Sequence, residues 1–244
     1  MSDDPDVTLP PGLDLLWGRR ERGRQGPKPG LSLDAIVEAA IAVADAEGLA
    51  AVSMARVARE VGFTPMSLYR YVENKDELLQ LMWNASAAGA PRIEGDGWRS
   101  RMRSWGLGQW QMLKVRQWVL EMPMVTPPAG PNSLAWVEQA MRALEETGLS
   151  AAERLGVVGL VSSYTLGEAR MSYDARRAAA EGSPPVDYPG VLRAVVDEKA
   201  FPSLYRAAWS GEIDDRDGTG EEDSFVFGLD RILDGVQVLV DART

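Results

Sequence analysis

The chain has 244 residues, a formal net charge of −10, and neither histidine nor cysteine. The absence of these two residue types excludes disulfides, thiolate catalysis, Ser-His-Asp catalysis and the commonest zinc sites, so we expect no metal and no cofactor. No segment alternates between apolar and polar residues like a strand, which predicts an all-α fold. No apolar run reaches about 18 residues, and residues 1–30 lack the apolar core of a signal peptide. These two observations predict a cytoplasmic protein without a membrane partner.

Residues 1–30 are predicted to form a flexible basic arm. The second half of this arm places basic side chains between glycines and prolines, and these are Arg19, Arg20, Arg22, Arg24 and Lys28. Such a composition buries too little apolar surface to fold alone. The arm is therefore either an inert tail or a tether for an anionic partner such as DNA, whose phosphates or minor groove it would follow.

A one-sided apolar stripe predicts a helix over residues 32–47, and the segment after it indicates two short helices joined by a tight turn. Ser53 can cap the first of these helices, and Gly62 can end it in the left-handed conformation. Thr64 and Pro65 can begin the second, because proline is well tolerated at the first helical position. This pattern is typical of a helix-turn-helix, which places its second helix in a DNA groove. The alternative is a small helical hairpin with ordinary surface charges.

The outer face of the second short helix is polar and aromatic, and it carries Thr64, Ser67, Tyr69, Arg70 and Tyr71. Hydroxyl, phenol and guanidinium groups bond phosphate oxygens and base edges. Asn74 and Glu77 then have the spacing of a capping box that begins a further helix. Lys75 lies at the start of that helix, where the helix dipole disfavours a cation, so we infer an outside anion such as a phosphate.

Three motifs make this region resemble one known family. They are IVEAAIAVADAEGL at residues 36–49, VAREVG at residues 57–62 and SLYRYVENKDELL at residues 67–79. The stretch 31–79 is similar, without a gap, to the N-terminal domain of the tetracycline-repressor family of transcriptional regulators. The resemblance implies DNA contacts from the supporting helix, the recognition helix and the helix after it, at Ser53, Thr64, Pro65, Met66, Ser67, Tyr69, Arg70, Tyr71 and Lys75.

The resemblance also implies the domain organisation. We expect an N-terminal three-helix helix-turn-helix DNA-binding domain over residues 31–78 and a larger C-terminal helical ligand-binding and dimerisation domain over residues 79–244. The charges divide in the same way, because residues 19–75 hold nine Lys or Arg against seven Asp or Glu, whereas residues 76–244 hold 17 against 25. A base-rich region on an otherwise acidic chain is compatible with DNA binding.

Beyond residue 90 the sequence predicts further helices. One, over residues 98–121, carries four tryptophans on several faces and should be largely enclosed. A second covers residues 133–147, a third begins at a capping box and covers residues 150–180, and the last covers residues 223–242. The acidic, glycine-containing segment 210–223 is predicted to be a mobile loop.

Two of these helices carry patterns typical of pairing between subunits. The long helix has small residues along one stripe, and the last helix has a coiled-coil seam with glycines beside it. The predicted interface consists of Gly156, Gly159, Ser163, Phe225, Gly228, Leu229, Ile232, Gly235 and Val236. Packing within one subunit is the alternative, but the resemblance implies a four-helix dimer interface and favours a homodimer.

The tryptophan- and methionine-rich middle of the chain is the candidate effector pocket, because ligand pockets are mostly apolar with a few placed polar groups. The candidate lining residues are Trp105, Gln109, Trp110, Met112, Tyr164 and Glu168. Each of them is otherwise an ordinary core or surface residue. The family's founding members bind a magnesium–tetracycline chelate partly through histidine, which this chain lacks, so a different bulky, hydrophobic small molecule is expected.

Together these predictions describe a homodimeric, ligand-responsive repressor that a hydrophobic effector releases from a palindromic double-stranded DNA operator. An activator or an orphan regulator of the same fold stays open as an alternative. A helical-bundle enzyme is disfavoured, because histidine and cysteine are absent and no pair of carboxylates stands out.

Overall fold

The computed structural model describes residues 9–10, 12–20, 31–90, 92–122, 129–184, 186–213 and 220–243, and every regular element within them is helical. The first five helices are α1 (Leu13–Leu16), α2 (Leu33–Glu47), α3 (Met54–Glu60), α4 (Pro65–Leu68) and α5 (Lys75–Ser86). The others are α6 (Gly97–Val115), α7 (Pro131–Ala143), α8 (Ala151–Ala180), α9 (Tyr188–Val195), α10 (Pro202–Ser210) and α11 (Glu221–Asp241). Among these described helices, none combines the length and the apolar character that crossing a membrane requires. The predicted all-α fold is confirmed.

Helices α2 to α5 form the N-terminal domain around one apolar core. Ser32 caps α2 by accepting a hydrogen bond of 3.1 Å from the backbone, and the predicted apolar stripe of α2 is buried. Val57 of α3, Leu68 of α4 and Leu78 of α5 are each fully buried in this core. The predicted domain boundary after residue 78 falls inside α5, because this helix runs unbroken from Lys75 to Ser86.

Helices α6, α8 and α11 pack against one another at the centre of the C-terminal domain. Trp110 of α6, Val161 of α8 and Phe225 of α11 are each 0 % exposed in the core between them. Gly106 lets α11 approach α6 closely, since a Cβ at this position would lie 3.0 Å from the Leu229 side chain. Three helices are thus held together by large apolar side chains from each of them.

One contact between the two domains joins the end of α5 to the start of α7. The Asn84 side-chain oxygen accepts a hydrogen bond of 2.9 Å from the Asn132 N–H, and the Asn132 amide donates to the Asn84 carbonyl at 2.9 Å. Trp136 Nε1–H donates to the Ala87 carbonyl at 3.0 Å. Gly130 leaves no room for a side chain, because a Cβ there would lie 2.3 Å from the Asn84 oxygen. The junction is therefore closely packed and held by hydrogen bonds.

The helix predicted over residues 98–121 is two elements in the structure. Helix α6 ends at Val115, and a 3₁₀ turn (Gln117–Glu121) follows it. The turn directs Trp118 towards α2, where its Nε1–H donates to the Asp45 carboxylate at 2.5 Å. A tertiary contact, which local sequence does not reveal, accompanies the change in chain direction.

Helices α9 and α10 were not predicted, and they pack against each other as a hairpin between α8 and α11. Asp187 caps α9 by accepting a hydrogen bond of 2.9 Å from Gly190 N–H, and Pro189 lies in the first turn of α9, where it needs no N–H partner. Pro189 thus helps to begin this helix. Of the loop predicted over residues 210–223, residues 214–219 lie outside the described residues.

Residues 12–20 differ from the flexible arm predicted for residues 1–30. They form α1 and the turns around it, and Leu13 and Leu15 are 5 % and 2 % exposed. Leu15 joins the apolar core cluster that also contains α2 and α5 residues. The two leucines provide the apolar surface that drives this docking. The predicted arm residues Arg22, Arg24 and Lys28 lie outside the described residues.

Candidate nucleic-acid interface and effector region

The helix-turn-helix is built by the local signals that the sequence carries. The Ser53 hydroxyl oxygen accepts a hydrogen bond of 3.1 Å from the α3 backbone, as predicted. Gly62 has a φ of +74°, and Phe63 N–H then donates to the Ala58 carbonyl at 2.9 Å, which closes the end of α3. Pro65 lies in the first turn of α4. These features reverse the chain and set α4 at the surface.

The outer surface of α4 and of the turn after it is exposed. Met66 is 75 % exposed and Tyr69 is 48 % exposed. Arg70 is also exposed and forms no ion pair with the described residues. Leu68, in contrast, is fully buried and anchors α4 to the core. An apolar, a phenolic and a guanidinium side chain presented by one short segment can contact base edges and phosphates.

The other residues predicted to contact DNA surround this surface. Those that are exposed are Ser53, Thr64, Pro65 and Lys75. Ser67 is half-buried, and its hydroxyl shares a hydrogen bond of 3.1 Å with the Thr64 hydroxyl. Lys75 forms no ion pair within the described part of the chain. Its ammonium group is therefore available for a phosphate oxygen.

Tyr71 is oriented differently from the prediction. Its ring packs half-buried against the core, and its hydroxyl donates a hydrogen bond of 3.0 Å to the Leu31 carbonyl. Because a phenol has a single proton to donate, this bond uses the donor that a phosphate would need. The structure thus corrects the placement of Tyr71 on the outer face: the residue fastens the segment before α2.

Arg56 of α3 is a basic residue that the domain uses internally. Its guanidinium lies 2.6 Å from the Glu47 carboxylate and 2.7 Å from the Glu60 carboxylate. The hydrogen bond to Glu47 and then that to Glu60 raise the pKa of Arg56, and the same arginine lowers the pKa of Glu47. Arg59 on the same helix is exposed and forms no ion pair with a described residue. Arg59 is thus a further exposed cation of the helix-turn-helix, in the last turn of α3, and no motif in the sequence singles it out.

The predicted effector region is packed more tightly than a pocket wall. Trp105 is 1 % exposed, and its Nε1–H donates to the Trp136 carbonyl at 2.9 Å, so the structure corrects its assignment from pocket to core. Trp110 is 0 % exposed and stacks on Phe225 with 4.5 Å between ring centroids. The Trp110 Nε1–H, however, has no hydrogen-bond partner among the described residues. A buried donor without an acceptor is costly, which makes Trp110 the residue of this region that most needs a partner.

The remaining ligand candidates are half-buried, and they are Gln109, Met112, Tyr164 and Glu168. The Gln109 amide donates to the Ser162 hydroxyl at 3.3 Å, and the Tyr164 hydroxyl donates to the Phe225 carbonyl at 3.1 Å. Burial raises the pKa of Tyr164, and the charge of Glu168 raises it further, so the phenol stays a donor. These polar groups connect α6, α8 and α11 around the aromatic stack.

A cleft that the sequence did not predict opens on the outer side of α6. It has a volume of about 420 Å³ and is lined by Arg92, Glu94, Ser100, Arg103, Ser104, Leu107, Gly108 and Gln111. None of the predicted ligand residues lines this cleft. Six of its eight lining residues are polar or charged, whereas typical ligand pockets are lined mainly by apolar residues. Along α6 such residues indicate only a solvated face. In the described part of the chain, no group of three or more acidic side chains could hold a metal ion.

Part of the predicted dimer interface lies inside the subunit. Phe225 and Leu229 are 0 % exposed and Val236 is 5 % exposed, because they pack in the core that α11 shares with α6 and α8. Ile232 is half-buried against the same core. A Cβ at Gly228 would lie 2.1 Å from the Tyr164 hydroxyl oxygen, so a contact within the subunit requires this glycine. The seam assigned to subunit pairing is therefore the inward face of α11.

The other predicted interface residues face outward. Gly156, Gly159 and Gly235 are exposed, and a Cβ at any of them would meet no atom within 4 Å. Ser163 on α8 is exposed as well. Beside these positions the same two helices expose the apolar side chains of Leu155, Leu160, Phe227, Val238 and Leu239. We refer to these nine residues as the outer α8–α11 face.

Comparisons with known proteins identify the family. Residues 36–82 match the family described as bacterial regulatory proteins, tetR family, and residues 90–240 match the one described as tetracyclin repressor-like, C-terminal domain. The HTH-type transcriptional repressor DrrR1 of Streptomyces coeruleorubidus is 35 % identical over 240 residues, which cover 95 % of this chain and 86 % of DrrR1.

Solved structures give the same result. Apo ActR from Streptomyces coelicolor aligns with a TM-score of 0.74 at 26 % identity, over 89 % of this chain and 100 % of ActR. ActR in complex with actinorhodin aligns with a TM-score of 0.71 at 27 % identity, over 86 % of this chain and 97 % of that chain. The chain therefore belongs to the tetracycline-repressor family of bacterial transcriptional regulators, and it is a DNA-binding regulator rather than an enzyme.

Proposed function

We propose that this protein is a homodimeric repressor that binds a palindromic operator and leaves it when a bulky hydrophobic small molecule binds. The observation that carries the proposal is the exposed surface of Met66, Tyr69 and Arg70 on and after α4. These side chains have no structural task in the described part of the subunit that would explain their exposure. The name of DrrR1 as a repressor supports the direction of regulation.

A palindromic operator follows from two-fold symmetry. Two recognition helices related by a dimer axis must be about 34–36 Å apart to enter successive major grooves on one side of the DNA. The outer α8–α11 face is the surface on which we place the dimer contact, because exposed apolar residues there are interspersed with glycines that let helices approach closely.

The effector would bind beside Trp110 in the C-terminal domain. Trp118 and Trp136, two other buried tryptophans, donate their Nε1–H to Asp45 and to the Ala87 carbonyl, whereas that of Trp110 is unpaired among the described residues. An acceptor on an aromatic ligand would satisfy it. ActR has been solved with actinorhodin and with (S)-DNPA, which supports a small-molecule effector here. A ligand that prefers a dimer with another spacing shifts the population off DNA.

Footprinting followed by displacement tests the proposal. The full-length protein is footprinted on DNA that flanks its own gene, and hydrophobic aromatic compounds are then screened for release. We expect protection of two symmetric half-sites about one helical turn apart, and loss of protection with an active compound. Protection of a single half-site would contradict the dimer. A compound that strengthened protection instead of releasing it would contradict effector-driven release.

A further inference from the structure

Residues 12–20, which we refer to as the strap, contact both domains. The Trp17 Nε1–H donates a hydrogen bond of 3.0 Å to the Ala129 carbonyl, just before α7 of the C-terminal domain. Arg20 forms ion pairs with Glu73 at 2.5 Å and with Glu77 at the start of α5 in the DNA-binding domain. The strap thus forms a second connection between the two domains, separate from the covalent connection that follows α5.

The Arg20 guanidinium is fully engaged inside the protein. Besides Glu73 and Glu77 it pairs with Asp14 at 3.2 Å. The Glu77 side chain is only 2 % exposed, and its second oxygen accepts a hydrogen bond of 2.5 Å from the Glu73 N–H. A carboxylate buried to this degree needs a paired cation. Arg20 is therefore not free for a DNA phosphate, which corrects its placement in the predicted DNA-following arm.

The carboxylates that Arg20 holds adjoin, in sequence, the DNA-reading surface, by which we mean the exposed side chains of Met66, Tyr69, Arg70 and Lys75. Glu73 and Glu77 are on either side of Lys75, and the Asn74 side chain caps α5 by accepting a hydrogen bond of 2.9 Å from the Glu77 N–H. Arg70 lies three residues before Glu73. If Arg20 fixes the turn at residues 72–75, it also fixes the direction in which the Arg70 and Lys75 side chains project.

Helix α5 is also fastened at its other end. Asn84 and Asn132 join the end of α5 to the start of α7, and Trp17 joins the strap to the residue two positions before α7. The strap, α5 and the start of α7 thus form a closed triangle of contacts. In such an arrangement the DNA-binding domain cannot rotate about the α5–α7 junction without breaking a hydrogen bond or an ion pair.

We propose that Arg20 is a positioning residue for operator binding and that the strap holds the DNA-binding domain at the angle that an operator requires. This inference rests on the proposed DNA-reading surface. A freely rotating domain loses more conformational entropy when two copies must dock on two fixed half-sites. Non-specific DNA binding arises from attraction to the phosphates and does not require a fixed angle between the two domains. It should therefore not depend on the strap.

Arg20→Gln tests the proposal when binding to the footprinted operator is compared with binding to unrelated DNA of the same length. Operator affinity should fall about two- to thirtyfold, the range for residues that couple two parts of a protein without touching the ligand. Affinity for unrelated DNA should stay within about twofold of the Arg206→Gln variant. Arg206→Gln is the matched control, because Arg206 on α10 is exposed and has no ion pair with a described residue. Arg20→Lys should recover part of the loss.

Trp17→Phe tests the other end of the strap and leaves no buried charge unpaired, so it stays informative if Arg20→Gln folds poorly. It should lower operator affinity selectively while the melting temperature and the dimer stay unchanged. Trp209→Phe is its control, because both tryptophans are 49 % exposed. Unchanged operator affinity in both strap variants, or an equal loss on both DNAs, would overturn the proposal. Wild-type binding by Arg70→Ala would instead overturn the DNA-reading surface.

Discussion

At the scale of single residues, the internal partners of polar groups decide which of them can contact DNA or a ligand. In the DNA-binding domain, the Arg56 guanidinium and the Tyr71 hydroxyl already donate to groups of the protein. Arg70 and Lys75, in contrast, are exposed and have no ion-pair partner among the described residues. Residue type and spacing could predict the exposed members. They could not predict the occupied ones, since the Leu31 carbonyl that holds Tyr71 is 40 residues away in the chain.

Arg70→Ala should relax the sequence preference of the protein. A bidentate arginine–guanine contact contributes about 1–3 kcal/mol, and its loss affects one base position more than the others. The measurement is the dissociation constant for the operator and for its single-base variants. Arg206→Ala on α10 removes the same charge from an exposed position and should leave discrimination unchanged. Equal discrimination by both variants would contradict base reading by Arg70.

Trp110→Phe should weaken the response to the effector and spare operator affinity. The change keeps an aromatic ring against Phe225 and removes only the unpaired Nε1–H and part of the ring. A hydrogen bond to a neutral acceptor contributes about 0.5–1.5 kcal/mol, so the effector concentration for half-release should rise about two- to twelvefold.

Trp105→Phe is the matched control for this change. Its Nε1–H is satisfied by the Trp136 carbonyl, so the change removes a buried hydrogen bond together with part of a core ring and should lower the melting temperature. The dose-response to the effector should then stay as in the wild type. An unchanged dose-response for Trp110→Phe as well would remove Trp110 from the effector site.

At the scale of helices, elements with local signals were predicted well, and those defined by distant contacts were not. Helix α8 begins after the capping box of Ser150 and Glu153 and ends at Ala180, as its pattern indicates. The strap and the α9–α10 hairpin carry weaker local signals. The coiled-coil seam predicted on α11 is an apolar stripe in the structure, but periodicity does not show whether that stripe meets the same subunit or another.

Gly235→Leu should shift the protein from dimer towards monomer. Gly235 is exposed with no atom within 4 Å of a Cβ, so the subunit accommodates a leucine, whereas a second helix packed on this face would not. Overpacking of this kind costs about 1–3 kcal/mol, which sedimentation velocity can measure as a weaker dimer. Gly228→Leu should instead lower the melting temperature of the subunit, because of the clash with Tyr164. A wild-type dimer constant for Gly235→Leu would place the interface elsewhere.

Comparison of wild type with Glu153→Gln should show that the capping of α8 by Glu153 stabilises the fold in a pH-dependent way. Hydrogen bonds from the Ser150 backbone, Arg243 and the Ser150 hydroxyl lower the pKa of Glu153 from 4.5 to about 2. A lowered pKa stabilises the fold above pH 4.5, and this contribution disappears as the pH falls through about 2. The difference in melting temperature between wild type and variant should therefore shrink over that window. A constant difference would show that the charge of Glu153 does not stabilise α8.

At the scale of the whole molecule, an acidic protein can bind a polyanion when its basic side chains are concentrated in a different region from its acidic ones. The net charge is −10, but residues 19–75 carry an excess of basic side chains. The acidic C-terminal domain repels DNA, so an encounter in which the DNA-binding domain faces the DNA is favoured. The family and its domain order followed from motifs in the first 79 residues. The contacts between domains did not, because each of them joins residues that are distant in sequence.

Lys75→Ala should weaken binding to all DNA sequences in proportion and lower its salt dependence. Each phosphate contact contributes about 0.9 to the slope of log K against log salt concentration, so a dimer that uses both copies of Lys75 should lose about 1.8. The slope is measured on the operator and on unrelated DNA between about 50 and 200 mM salt. Lys199→Ala removes the same charge near the α9–α10 hairpin turn and should leave the slope unchanged, since exposed charges are screened within about 10 Å. A loss of about 0.9 would mean that one subunit contacts DNA through Lys75. An unchanged slope would remove Lys75 from the DNA-facing surface altogether.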